Sequence, residues 1–219
     1  MGRILFIAGT GTGVGKTVLT ALLLRQLREE GRQALAMKPF CSGSRNDARL
    51  LQRLQKEDLT LRQTNPFFFR RPLAPWVAAK EDHTPQIPLR HALAGIRRLS
   101  RRCRILLVEG CGGVLAPLGE DYAAADIISL LRCQTIIVAL NSLGTINHTM
   151  LTVKYMQTIG IEDIKIVMMA VGRPDFSSRS NIRAICELLP GIPVYGLPYL
   201  GRGASNLARV KKNVKKVKK

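Results

Sequence analysis

Apolar residues along this chain gather into short unbroken runs at positions 4–8, 34–37, 105–108, 135–140, 164–169 and 194–197. Each run has the length of a strand. Between most of them lie stretches in which apolar residues recur with the helical period. These are clearest at 18–30, 87–102, 146–159 and 178–189, and several have Gly or Pro just past the end. Strands that read as continuous apolar runs are buried on both faces, and their alternation with helices implies crossover connections. The pattern predicts an α/β fold in one domain, a mostly parallel sheet with helices on both faces. Positions 65–76, rich in Pro and aromatic residues, are expected to form an ordered loop, because their apolar side chains resist full solvation.

In such sheets ligands bind beyond the carboxyl ends of the strands, so the residues just after each run carry the chemistry. After the first run comes Gly9-Thr10-Gly11-Thr12-Gly13-Val14-Gly15-Lys16-Thr17. Glycines let backbone N–H groups curl around phosphate oxygens. A helix start adds a favourable dipole, a lysine reaches the terminal phosphates, and a threonine hydroxyl can ligate magnesium. The spacing is one residue longer than the standard loop: five positions before Gly15 stands Thr10, and the glycine expected there is Gly9. A merely flexible turn is the alternative.

After the second run, Lys38-Pro39-Phe40-Cys41-Ser42-Gly43-Ser44 offers a cation and small donors, and Asp47 follows as a candidate metal-facing carboxylate. Taken alone these are ordinary loop residues. The third run ends in Glu109-Gly110-Cys111-Gly112-Gly113, a carboxylate at the end of a buried strand followed by a sharp turn. A divalent cation on a nucleotide needs such an oxygen; a surface ion pair with an arginine is the competing reading. The fourth, Asn141-Ser142-Leu143-Gly144-Thr145-Ile146-Asn147-His148, opens a helix whose N–H groups suit a carboxylate, or which Ser142 or Thr145 simply caps.

Composition changes this picture in two places. With 34 Lys and Arg against 15 Asp and Glu, the formal charge is +19, which on its own suggests a nucleic-acid binder. Its distribution points elsewhere: seven of those 34 cations lie in 209–219, which contains no acid, and others cluster at Arg97, Arg98, Arg101, Arg102 and Arg104. Residues 209–219 are expected to be a disordered, solubilising arm beside a folded unit at 1–208; nucleic acid is not the expected partner, although a role of this arm in binding RNA, DNA or an acidic surface stays open. The five cysteines are an odd number without C-x-x-C spacing, which excludes a disulfide framework or a zinc site as the expectation. The opening apolar run is too short for a signal peptide core or a membrane span, and a cytoplasmic protein is expected.

Together, G-x5-G-K-T, Lys-Pro-x-x-Ser-Gly-Ser at 38–44, Val-Glu-Gly-x-Gly-Gly at 108–113, Pro117-Leu118 and Leu-Gly-x-Ile-Asn-His at 143–148 resemble the dethiobiotin synthetase family. The likeness runs from the first strand to about Tyr199 and includes the long glycine loop. It implies a P-loop NTPase-like fold and ATP-dependent carboxylation and ring closure of 7,8-diaminononanoate with CO2 or bicarbonate, giving dethiobiotin, ADP and phosphate. Carried over by position, Gly11, Thr12, Gly13, Val14, Gly15, Lys16 and Thr17 would hold the phosphates, and Thr17, Asp47 and Glu109 magnesium. Lys16, Lys38 and Ser42 would be catalytic, with Lys38 and Ser42 also on the substrate. A homodimer is implied, in which Gly144, Thr145 and Asn147 of one subunit hold the distal carboxylate of the substrate in the other. Two departures stand out: Gly11 replaces the family's usual Asp, and 168–172 lacks the Asn-Asp pair that reads the purine in many members. That leaves backbone groups of Pro198, Tyr199 and Leu200 as the expected base contacts. Two other readings stay open: a P-loop amide-forming ligase acting on another carboxylate, and a partition-type DNA-binding ATPase. Against the latter, the early lysine of its phosphate loop is missing.

Overall fold

The computed structural model describes residues 2–173 and 175–213. β1 (Arg3–Gly9) enters α1 (Lys16–Glu29) through the glycine-rich turn, and β2 (Ala34–Met37) follows. The chain then leaves the main sheet for β3 (Phe40–Ser42), α2 (Asn46–Leu54), α3 (Leu61–Thr64), β4 (Phe67–Phe69) and α4 (Pro75–Glu81). It returns through α5 (Leu89–Ser100) to β5 (Ile105–Glu109). Then come α6 (Ala124–Leu131), β6 (Gln134–Asn141), α7 (Thr145–Thr158) and β7 (Ile164–Ala170). α8 (Phe176–Leu188), β8 (Val194–Leu197) and α9 (Leu207–Asn213) follow.

Six strands form one sheet in the order β2-β5-β1-β6-β7-β8, every pairing parallel. These are the six predicted strands, with ends displaced by at most a residue. Alternation along β1 shows why the runs lack polar positions: Ile4, Phe6 and Ala8 enter a core shared with α5, α6, α7 and α8, while Ile7 enters a second core with α1, α2 and α9. Side chains of successive strand residues point to opposite faces, so a strand covered on both sides is apolar throughout. Each large buried aliphatic contributes roughly 1.5–3 kcal/mol. The edge strand β2 is closed by a side chain: Gln55, 1% exposed, receives the Ala36 N–H at 2.9 Å and donates to the Ala36 carbonyl at 2.6 Å.

Two expectations need correction. The stretch 65–76 is not all loop, because Phe67–Phe69 pair in parallel with Phe40–Ser42 as a separate two-stranded sheet. The Phe40 and Phe67 rings lie 5.1 Å apart, so burying the aromatic pair favours the extended pairing. Nor does a disordered arm begin at Arg209. α9 runs to Asn213, with Val210 fully buried against the α1 side of the sheet, and the Asn213 amide donates to the Leu200 carbonyl at 3.4 Å. One well-placed valine and an internal amide anchor a helix whose net charge suggested solvation. Residues 214–219 lie outside the described residues.

Candidate active site

Parallel order places three strand ends side by side. β5 lies between β2 and β1, with Ile7 opposite Glu109 and Met37 opposite Val108. Lys38, Glu109 and the glycine-rich turn after β1 therefore meet at one edge of the sheet, although they are far apart in sequence. Gly15 caps α1 at φ 100°, a left-handed conformation that favours glycine, and a Cβ there would meet the Met169 side chain at 3.0 Å. That fold of the turn delivers Lys16 and Thr17 as the first helical residues.

Four predicted residues make one hydrogen-bonded cluster. Thr17 Oγ1 donates to Glu109 Oε1 at 2.6 Å, and Lys38 Nζ donates to the same oxygen at 2.6 Å and to Asp47 Oδ2 at 2.8 Å. Asp47 stands in the first turn of α2, which packs against α1. Lys16 Nζ donates to the carbonyls of Gly11 at 2.6 Å and Gly112 at 2.8 Å, so it lies folded back over the loop. Lys16, Thr17, Lys38, Ser42 and Asp47 line a cavity of about 520 Å³, with Thr12, Gly13 and Gly15 on its phosphate-loop side.

Burial lowers the Lys16 ammonium from 10.5 to about 8, and the neighbouring Lys38 charge adds to the effect. At pH 8.5 Lys16 therefore gives up its proton far more readily than an ordinary lysine. An anionic phosphate raises the pKa again, so nucleotide binding at pH 8.5 is expected to take up protons from the buffer, whereas near pH 6.5 Lys16 is already charged. Calorimetry of ADP binding in buffers of different ionisation enthalpy measures this uptake. A buffer-independent enthalpy at pH 8.5 would contradict it. Lys38 behaves oppositely: burial opposes its charge, but Glu109 and Asp47 outweigh burial and hold its pKa above the usual lysine value. Burial also raises Asp47, yet the Lys38 charge and hydrogen bond leave it below the ordinary carboxylate range. Cys41 and Cys111 line the cavity too; burial pushes the first up to about 12 and the second upward, so both thiols are neutral at pH 7.

Glu109 is 0% exposed, and its Oε2 has no hydrogen-bond partner among the described residues. A buried carboxylate oxygen left without a donor is costly unless something positive meets it. Among the described residues no three His, Cys, Asp or Glu side chains cluster as a metal cage. The donor set of Thr17, Asp47 and Glu109 suits a hard cation that brings phosphate and water oxygens with it.

Other predicted residues lie elsewhere. Val14 is buried in the α1-side core, and Gly11 contributes its carbonyl to Lys16 rather than lining the cavity. Pro198 and Tyr199 are exposed, Leu200 is buried in the core, and from this region of the chain Ser205 reaches the cavity. Gly144 caps α7 at φ 88°, Thr145 is buried and Asn147 is exposed, and none of the three lines the cavity within one chain.

Sequence reasoning assigned no role to Asn65. Fully buried, it donates through Nδ2 to the carbonyls of Lys38 at 2.9 Å, Pro39 at 3.2 Å and Phe67 at 3.1 Å, and accepts from Arg45 Nε at 3.1 Å. It pins the backbone that carries Lys38. An Asn followed by Pro in an aromatic stretch was the available signal, but three of its four partners are distant in sequence. Asn65→Ala takes a donor from three carbonyls and is expected to destabilise the fold by about 1–3 kcal/mol, with turnover falling more than nucleotide affinity. Denaturant unfolding and parallel kinetics check both. Unchanged turnover would remove the positioning role.

A strand, a glycine-rich turn, a Lys-Thr helix start and a carboxylate at the end of the adjacent strand define a P-loop nucleotide-binding protein. Solved structures share the fold. The septum site-determining protein MinD with Mg-ADP from Pyrococcus horikoshii superposes with a TM-score of 0.59 at 18% identity, covering 95% of this chain and 86% of that one. A ParA family ATPase from Chlorobium tepidum gives 0.58 at 13% identity, covering 98% of each. Residues 3–202 match the AAA domain family. Sequence relatives narrow the class. ATP-dependent dethiobiotin synthetase BioD of Bacillus licheniformis is 39% identical over 88% of this chain and 83% of its own length. The Aquifex aeolicus protein of the same name is 34% identical over 89% and 88%. The chain belongs to the ATP-dependent dethiobiotin synthetase family.

Proposed function

We propose that this protein makes dethiobiotin from 7,8-diaminononanoate, CO2 and ATP, releasing ADP and phosphate, as a cytoplasmic homodimer. The observation that carries the reading is Lys38, held charged between Glu109 and Asp47 at the wall of the cavity that also holds Lys16 and the phosphate loop. One amine of the substrate takes up CO2 as a carbamate. A carbamate oxygen attacks the γ-phosphorus, the bond to ADP breaks, and a carbamic-phosphoric anhydride forms. The second amine then attacks the anhydride carbonyl, and phosphate leaves as the ring closes.

Lys38 steadies the carbamate and the migrating phosphoryl group, with the Ser42 hydroxyl beside it. Lys16 exchanges its two carbonyl partners for terminal phosphate oxygens, while backbone N–H groups of Thr12 to Thr17 cradle the phosphates. Most of the rate then comes from positioning and fixed charge. Thr17, Asp47 and Glu109 would hold magnesium, and the open Oε2 of Glu109 fits that assignment. Magnesium supplies charge neutralisation on the phosphates when bound.

Since Gly144, Thr145 and Asn147 lie outside this cavity in one chain, their proposed work on the distal carboxylate needs a second copy. The Thr145 N–H donates to the Ser142 carbonyl at 3.2 Å, and no side-chain cap accepts from the N–H groups that follow it in the first turn of α7. Pro198, Tyr199 and Leu200 remain the proposed base contacts through their backbone. Purified protein with magnesium and ATP should form ADP only when both the diamine and bicarbonate are present. No ADP above background with all components would sink the assignment.

A further inference from the structure

The arginines at 97–104 have no part in phosphoryl transfer, and a small-molecule ligase has no evident need for a charge of +19. The fold assembles some of these cations around two hollows that share no lining residue with the catalytic cavity. One, of about 860 Å³, is lined by Arg62, His91, Arg98 and Arg102 above an apolar floor that includes Met37, Phe67 and Leu99. The other, of about 400 Å³, lies at the amino end of β2 and is lined by Arg28, Arg32 and again Arg102. Arg102 borders both, so the two hollows adjoin beside the edge strand β2, and the larger one forms a basic trough.

Among the described residues Asp58 is the only acid lining either hollow; Arg28 holds it at 2.8 Å, and Arg32 pairs with Glu30 at 3.5 Å. Arg102 donates to the Asp58 carbonyl at 3.2 Å, a contact that leaves its charge uncompensated. Among the described residues Arg62, Arg98 and Arg102 make no ion pair. These three exposed guanidinium groups raise the local potential and favour an anion with charges distributed along its length. The floor adds a second requirement, since the partly exposed Phe67 ring offers a flat apolar contact below the cations, with Met37 and Leu99 buried beneath. A polyanion that alternates phosphates with aromatic faces meets both demands.

We propose that this trough binds single-stranded nucleic acid, its phosphates paired with Arg62, Arg98 and Arg102 and a base lying over the Phe67 ring. A flat anionic membrane cannot follow a concave surface of this kind. An acidic peptide would satisfy the arginines but leave the floor less well used. The reading is independent of the catalytic assignment.

The test is fluorescence anisotropy of the full chain with labelled RNA and DNA oligomers of about twenty nucleotides, alongside a polyglutamate peptide. Arg62→Glu, Arg98→Glu and Arg102→Glu combined should weaken oligomer binding more than about tenfold near 0.1 M salt and flatten the log–log salt slope by about 2. Gly95→Glu provides a second variant that removes no native side chain. A Cβ there meets nothing within 4 Å, so it places a carboxylate in the larger hollow, and binding should weaken while the fold is retained. Arg49→Glu, Arg53→Glu and Arg183→Glu change net charge equally on other surfaces and should have much less effect. Substrate-dependent ADP formation should be unchanged in all these proteins. No oligomer binding by the native chain would overturn the proposal, as would equal losses in trough and control variants, tighter binding of polyglutamate, or loss only when the lysines at 215, 216, 218 and 219 become glutamine.

Discussion

Lys38→Ala is expected to lower turnover by at least about a hundredfold while nucleotide affinity stays within a few-fold of the native value. Removing one preorganised charge from a transferring group costs about that much. The phosphate loop and Lys16, which hold the nucleotide, make no hydrogen bond to Lys38 among the described residues. The same substitution leaves Glu109, 0% exposed, without its closest counter-charge. Breaking a buried pair from one side costs about 3–5 kcal/mol, so the apo protein should melt roughly 10 °C lower. Adding Glu109→Gln to Lys38→Ala removes the stranded charge and should restore much of that stability without restoring turnover. Steady-state ADP release, nucleotide titration and calorimetry together read these outcomes. Lost nucleotide binding in folded Lys38→Ala would contradict the role, and so would a double variant no more stable than the single one.

Glu109→Gln is expected to be comparably severe for a different reason. The substitution keeps the shape but removes the anion at the end of β5, leaving Lys38 paired only with Asp47, whose side chain is 45% exposed. Turnover should fall about a hundredfold to a thousandfold. The diagnostic measurement is thermal: magnesium with ADP should stabilise the native chain more than ADP with a chelator, because a ligand stabilises in proportion to its binding to the folded state. In Glu109→Gln that difference should nearly vanish. If it persists undiminished, Glu109 is not the metal-facing carboxylate, and its buried Oε2 needs another partner.

The site was legible where its chemistry is local. A glycine loop, Lys16 and Thr17 are neighbours in the chain, and a single strand-to-helix turn presents them together. Lys38 and Glu109 could be picked out singly because a charged residue ending a buried apolar run is conspicuous. Their contact with each other was not readable, since it depends on β5 lying between β2 and β1. Asp47 stood on a loop whose length alone did not place it; α2 does so by starting at Asn46 and packing against α1. Asn65 escaped notice because buried amides are recognised by partners, and the Lys38 and Pro39 carbonyls it holds are 27 and 26 residues away.

By itself, then, the sequence determined the alternation of strands and helices, the phosphate loop and the residues bearing charge at the strand ends. Hydrophobic period and turn chemistry act over a few residues, and a reader of the chain sees them directly. Tertiary structure decided which strand ends are adjacent, that Glu109 serves both Lys38 and Thr17, and that Phe67–Phe69 pair as a strand. It also decided that α9 docks through Val210 and that scattered arginines border one trough. Each of those depends on pairing and packing between distant segments, whose free energies exist only once the sheet has brought them together.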